Sequence, residues 1–103
     1  MRLKDKVAII AGGTRGIGLG IALEFVREGA MVVVGGTTDE AGRSAAGEIE
    51  AAGGQGMFVR CDVASLSDLQ NIVDRTVDRF GRLDIYVANA GINDPAKTHF
   101  LEI

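Results

Sequence analysis

Seven residues, Gly12-Gly13-Thr14-Arg15-Gly16-Ile17-Gly18, follow directly on the apolar run Val7-Ala8-Ile9-Ile10-Ala11, and their types and spacing suit an anion cradle. Where an apolar strand ends in a glycine turn and feeds a helix, unpaired backbone N–H groups and the positive end of the helix dipole converge on one point. A pyrophosphate satisfies both. Gly12 is placed to let the chain leave the strand with a φ that other residues avoid, while Gly16 and Gly18 leave room for a ligand and for close helix-to-strand packing. The spacing is Gly-x-x-x-Gly-x-Gly, not the Gly-x-Gly-x-x-Gly of the commonest dinucleotide motif. Fifteen glycines in 103 residues place some at any spacing, so an ordinary structural turn is the competing reading of the glycines taken alone.

A second set of groups follows the next apolar run. NAD and NADP differ in a 2′-phosphate on the adenosine ribose, and an acidic side chain about twenty residues beyond the glycine turn bonds the free hydroxyl and repels the phosphate. Here that place holds Gly36, Thr37 and Thr38, with Asp39 only after them. Arg15 can instead supply positive charge to a 2′-phosphate, with the threonine hydroxyls donating to it. The alternative for Arg15 is a solvated loop arginine.

These residues need a scaffold, and a threefold repeat of apolar strand, turn and amphipathic helix supplies one. The first helix is predicted from about Ile17 to Glu28, with Ile17, Ile21, Ala22 and Phe25 on one stripe and Gly29 ending it. Met31–Gly35 reads as a buried strand. Thr38 can cap a second helix over Asp39–Ala52, with Gly53-Gly54 beyond it; its apolar face of Ala41, Ala45, Ala46 and Ile49 is thin, and Gly47 weakens it. A third strand, Gly56–Arg60, runs into Cys61-Asp62-Val63. The third helix carries the clearest period, through Leu66, Leu69, Ile72, Val73, Thr76, Val77 and Phe80, with Ser65 and Asp68 resembling a capping box and Gly81 as the stop. A fourth strand, Leu83–Ala88, leads into Asn89-Ala90-Gly91, and residues 92–103 read as loop. Right-handed crossovers give an α/β architecture with a parallel sheet ordered 3-2-1-4. Its ligand crevice lies at the carboxyl ends of the first and fourth strands, on the edge that also carries Gly36, Thr37, Asp62 and Asn89.

Composition narrows the partners. A net charge of −3 without a basic cluster lacks the footprint of a nucleic-acid binder, and no apolar run approaches membrane-spanning length. The run behind the N-terminus is too short for a signal peptide, so a cytoplasmic protein of one domain is expected. Cys61 is the only cysteine and His99 the only histidine, which excludes an internal disulfide and a cysteine-based metal cluster; no metal site is expected.

The glycine turn resembles that of the short-chain dehydrogenase/reductase family, Thr-Gly-x-x-x-Gly-Ile-Gly, with Ala11 in place of the threonine. Cys61-Asp62-Val63 and Ala88-Asn89-Ala90-Gly91 are similar to two further family segments, the second lacking only its leading asparagine. The resemblance implies a Rossmann-type three-layer fold and a dinucleotide held by Gly12, Thr14, Arg15, Gly16, Ile17 and Gly18 at the turn and by Thr37 and Thr38 after the second strand. It further implies that Asp62 and Val63 lie at the adenine, and Asn89, Ala90 and Gly91 at the sheet and adenosine ribose. For Asp62 a plain turn residue is the alternative. Family members with a basic residue at the Arg15 position tend to use NADP, so NADP(H) is expected over NAD(H).

The family's chemistry uses a serine, a Tyr-x-x-x-Lys pair and a helix asparagine. None is found here, because the only tyrosine, Tyr86, lies in the fourth strand and has Ala90 at the lysine position. No catalytic residue is therefore expected. The resemblance implies the N-terminal, cofactor-binding half of an oxidoreductase near the 3-oxoacyl-carrier-protein reductases, truncated and inactive alone. The complete protein would act on a small carbonyl or alcohol and form a homo-oligomer. The alternative is a non-catalytic dinucleotide-binding module, in which Ile85 and Val87 on the fourth strand would be short of cover.

Overall fold

The central strand of the sheet is Val7–Ala11 (β1), and all five of its side chains are fully buried. The computed structural model describes residues 2–88. Met31–Gly36 (β2), Gly56–Arg60 (β3) and Ile85–Ala88 (β4) complete a parallel sheet in the order β3-β2-β1-β4, as the crossover argument requires. Ile9 pairs with Val33 on one side and Tyr86 on the other. A strand covered on both faces has no solvent side, which is why β1 and β2 read as unbroken apolar runs.

Between these strands lie Gly16–Arg27 (α1), Asp39–Ala51 (α2) and Leu66–Phe80 (α3). The alternation of the strands sorts the core into two layers. Ala8, Ile10, Val32 and Val34 pack with Ala22 and Val26 of α1 and Ala45 and Ile49 of α2. Ile9, Ala11 and Val33 face the other way, with Ile72 of α3, Cys61 and Tyr86. The thin face of α2 is offset by close approach: Gly42 lies against the ring of Phe58, where a side chain would not fit.

The structure corrects several expectations. Ile17 is 59% exposed and Leu66 84% exposed, because each sits in the first turn of its helix, beyond the strand ends that the helix covers. Ile72 and Thr76 mark the buried stripe of α3; Val77 stands about 100° round from Thr76 and is 42% exposed. Val87 is buried and not short of cover, whereas Ile85 is half-buried. The strand β4 starts at Ile85, two residues later than its apolar pattern suggests, because the Asp84 side chain takes over a ladder bond. Asp84 Oδ2 accepts from Val7 N at 2.9 Å while Asp84 N donates to Val7 O at 2.9 Å.

That carboxylate also accepts from Arg82 Nη2 at 2.7 Å, and this bond, with the one from Val7, holds its pKa below the ordinary carboxylate value. A depressed folded-state pKa contributes stability that is present above the unfolded value, about 3.9, and lost as pH falls through the folded one. Asp84→Asn is therefore expected to melt below the parent at pH 6, and in melting curves the gap should narrow below about pH 4 and close once the pH lies under the folded-state value.

Candidate functional site

The chain leaves β1 at Gly12 with φ 81°, a left-handed conformation that favours glycine. Gly12 N and Gly13 N then donate to the same carbonyl, Gly35 O, at 2.9 and 3.1 Å. The turn is thereby tied to the end of β2. Gly16 opens α1 with φ 61° and has nothing close to where a side chain would stand. Gly18 differs: a side chain there would overlap Gly12 O and lie 2.8 Å from Gly12 C and 3.0 Å from Gly13 Cα. The two glycines thus divide the tasks, backbone conformation at Gly16 and close helix-to-turn packing at Gly18.

Among the described residues, no side chain caps the start of α1. Arg15 is its N-cap residue but makes no side-chain cap bond, and the first turn has no acidic residue. By contrast α2 begins with Asp39 and Glu40, and α3 is capped by Ser65 Oγ, which accepts from Asp68 N at 3.2 Å. The free N–H groups and dipole of α1 therefore face the rim of the sheet where an anion would complete them. Thr14, in the same turn, is 8% exposed, and its hydroxyl has no hydrogen-bond partner among the described residues.

Arg15 Nη2 donates to Thr38 Oγ1 at 3.2 Å, joining the glycine turn to the loop after β2. This corrects the expected cap: Thr38 stands at the N-cap of α2, but its hydroxyl makes no cap bond and accepts from Arg15 instead. Thr14, Arg15 and Thr38 line an open groove of about 510 Å³, with Leu19 of α1 and Ser44 and Glu48 of α2. Arg15 forms no ion pair among the described residues, so its charge is available to the groove.

Thr37 contributes its backbone to another contact. Arg60 Nη1 donates to Thr37 O at 2.8 Å and lies 3.5 Å from Asp39 Oδ1. Both partners of the ion pair are well exposed, so its energetic value is small; its effect is to hold the Asp39 carboxylate beside the last residue of β3. Nothing in the sequence pattern marks Arg60, which reads only as the last residue of the third strand.

Asp62 builds its own turn, with Oδ1 accepting from Ala64 N and its carbonyl accepting from Ser65 N, each at 2.9 Å. The capping-box expectation is half met. Asp68 donates its N–H to Ser65, but its carboxylate turns to Asp62 N at 2.9 Å instead of reaching back to Ser65. Val63 is half-buried and packs on the α3 layer. Cys61 N donates to Gly36 O at 2.9 Å, so the segment carrying Asp62 is fastened to the end of β2. The glycine turn, Thr37–Thr38 and Asp62–Val63 thus share the carboxyl edge of the sheet. Asn89, Ala90 and Gly91 lie outside the described residues, as does His99.

Neither Cys61 nor Tyr86 is set up for proton transfer near neutral pH. Burial raises the pKa of the Cys61 thiol, with Asp68 and Asp62 adding to it, and burial followed by Cys61 raises that of Tyr86. No helix among the described residues is long and apolar enough to cross a membrane.

A family profile described as short chain dehydrogenase matches residues 6–103. Short chain aldehyde dehydrogenase 1 of Euphorbia lathyris is 45% identical over 94 residues, which cover 89% of this chain and 32% of that protein. Secoisolariciresinol dehydrogenase of Forsythia intermedia is 40% identical over 102 residues, 98% of this chain and 36% of that protein. Among solved structures, a hydroxysteroid dehydrogenase from Escherichia coli superposes with a TM-score of 0.84 at 38% identity, covering 92% of this chain and 43% of that one. An actinorhodin polyketide ketoreductase variant with NADPH superposes with a TM-score of 0.80 at 34% identity, covering 91% and 37%. The chain spans about a third of the length of the curated relatives it matches.

Proposed function

We propose that this chain, which belongs to the short chain dehydrogenase family, holds a nicotinamide dinucleotide for an oxidoreductase and prefers NADP(H) to NAD(H). The observation that carries the preference is the Arg15–Thr38 contact of 3.2 Å beside an uncapped helix start. The free N–H groups at the head of α1 take the pyrophosphate. The guanidinium of Arg15, with the Thr38 hydroxyl, takes the 2′-phosphate, where its planar donors suit a phosphate's oxygens. Asp62 and Val63 flank the adenine, Thr37 supports the ribose through its backbone, and Asn89, Ala90 and Gly91 follow β4. A polyketide ketoreductase related in fold and sequence was solved with NADPH, which supports the coenzyme class.

When bound, the nicotinamide supplies or accepts a hydride, and for the whole protein we propose a small carbonyl compound or alcohol as the other reactant. The names of the relatives described above, two dehydrogenases and a ketoreductase, support that class. A proton must move with the hydride. Tyr86 is buried and its phenol is pushed up in pKa, so it is not the proton donor, and the part read for the described residues is coenzyme binding. Cytoplasmic residence and assembly of the whole protein into a homo-oligomer remain part of the same reading.

Calorimetric titration with NADPH and NADH tests this. NADPH is expected to bind roughly tenfold more tightly, about the worth of one hydrogen bond to a charged group, with a preference that shrinks as salt is raised. Equal affinities would overturn the preference, and failure to bind either coenzyme would overturn the site.

A further inference from the structure

The end of β2 and the glycine turn meet at a second point, between Gly36 and Thr14. A methyl group on Gly36 would stand 2.7 Å from Thr14 Cγ2, 2.8 Å from Oγ1 and 3.3 Å from Cβ. Comfortable carbon contacts lie at about 3.5–4.0 Å. Thr14 has little freedom to move aside. It is 8% exposed, and its branched side chain is stiff at χ1. The backbones are fixed as well: Gly12 N and Gly13 N both hold Gly35 O, and Cys61 N donates to Gly36 O at 2.9 Å. Neither the turn nor the strand end can shift alone.

We propose that Thr14 is a specificity-determining residue. By filling the space over Gly36 it keeps a carboxylate off the end of β2, the place from which an acidic side chain would bond the ribose 2′-hydroxyl, and so leaves Arg15 and Thr38 to meet that ribose. The proposal rests on the coenzyme reading above and deepens it. Selectivity here is a packing property of two positions: an aspartate at position 36 is not enough to recruit NADH while Thr14 stands against it. The nearest native carboxylate past β2, Asp39, is drawn to Arg60 at 3.5 Å and does not substitute for it.

The test is a double-mutant cycle on the purified protein, reading melting temperature and the dissociation constants of NADPH and NADH. Gly36→Asp alone is expected to weaken both coenzymes about tenfold, because its side chain displaces the turn. Thr14→Gly/Gly36→Asp is expected to regain NADH binding while NADPH stays weak, shifting the ratio toward NADH at least tenfold beyond either single change. Gly36→Ala, which adds only the methyl group, guards against a misfolded aspartate variant. It should melt about 5 °C or more below the parent, and Thr14→Gly/Gly36→Ala should recover most of that loss. The proposal is overturned if Gly36→Asp alone swings the preference as far as the double change, or if Gly36→Ala melts with the parent. A parent that binds neither coenzyme, with the Gly36→Ala cycle still non-additive, would refute the coenzyme reading while leaving the Thr14–Gly36 contact upheld. A parent that binds NADH as well as NADPH, with the double variant turning to NADH, would uphold the role of Thr14 and refute only the native preference.

Discussion

Gly18→Ala is expected to abolish coenzyme binding, with an affinity loss of about a hundredfold or more, and to destabilise the fold by about 1–3 kcal/mol. The added methyl group would overlap Gly12 O and crowd Gly12 C and Gly13 Cα, all backbone atoms. No rotamer change relieves such a clash. The head of α1 must move off the turn, and the N–H groups that face the anion move with it. Gly20 is the control within the same helix, since nothing lies near its Cα on the side a methyl group would take. Gly20→Ala should bind as the parent does and gain about 0.5–1 kcal/mol from helix propensity. Calorimetry and thermal melts of the two variants side by side separate packing from propensity. A Gly18→Ala protein that binds like the parent would show that close helix-to-turn contact is not what positions the donors.

Arg15→Glu is expected to weaken NADPH about a hundredfold while leaving NADH within about threefold of the parent, which reverses the coenzyme preference. The variant loses one charge-assisted bond and adds like-charge repulsion beside the 2′-phosphate. Stability should hardly change, because Arg15 is exposed and its hydrogen-bond partner among the described residues, Thr38 Oγ1 at 3.2 Å, is exposed too. Titrations with both coenzymes at low and high salt check it. Equal losses for both would place Arg15 at the shared pyrophosphate and not at the 2′-phosphate.

The parts of this fold that were legible in the sequence are those whose signals are local. An apolar run ending in Gly12 announces a strand and turn within a few residues, and Gly29, Gly53 and Gly81 mark helix ends by left-handed geometry that the structure shows at φ 96°, 87° and 80°. Sheet order then follows from connection handedness. Periodicity, however, says which face of a helix is apolar and not where the sheet beneath it stops, so it counts Ile17 and Leu66 toward a core that neither reaches. Hydroxyl and carboxylate partners were the least legible. Thr38 has the sequence position of a helix cap, yet its oxygen serves an arginine 23 residues earlier. Asp84 reads as part of a strand, yet its side chain bonds a backbone group 77 residues away and ends the ladder. Local pattern cannot reveal a partner brought in by the sheet. The Thr14–Gly36 contact and the reach of Arg60 to Thr37 were invisible for the same reason.

If the bare head of α1 takes the coenzyme as proposed, coenzyme supply would also bear on survival of the folded chain. A ligand that completes those amides binds the native state and not the unfolded one, and at a hundredfold excess over its dissociation constant it adds about 2.7 kcal/mol to stability. In a starved cell that increment vanishes. Abundance of the protein would then track the pool of its coenzyme, as quality-control proteases clear the larger unfolded fraction.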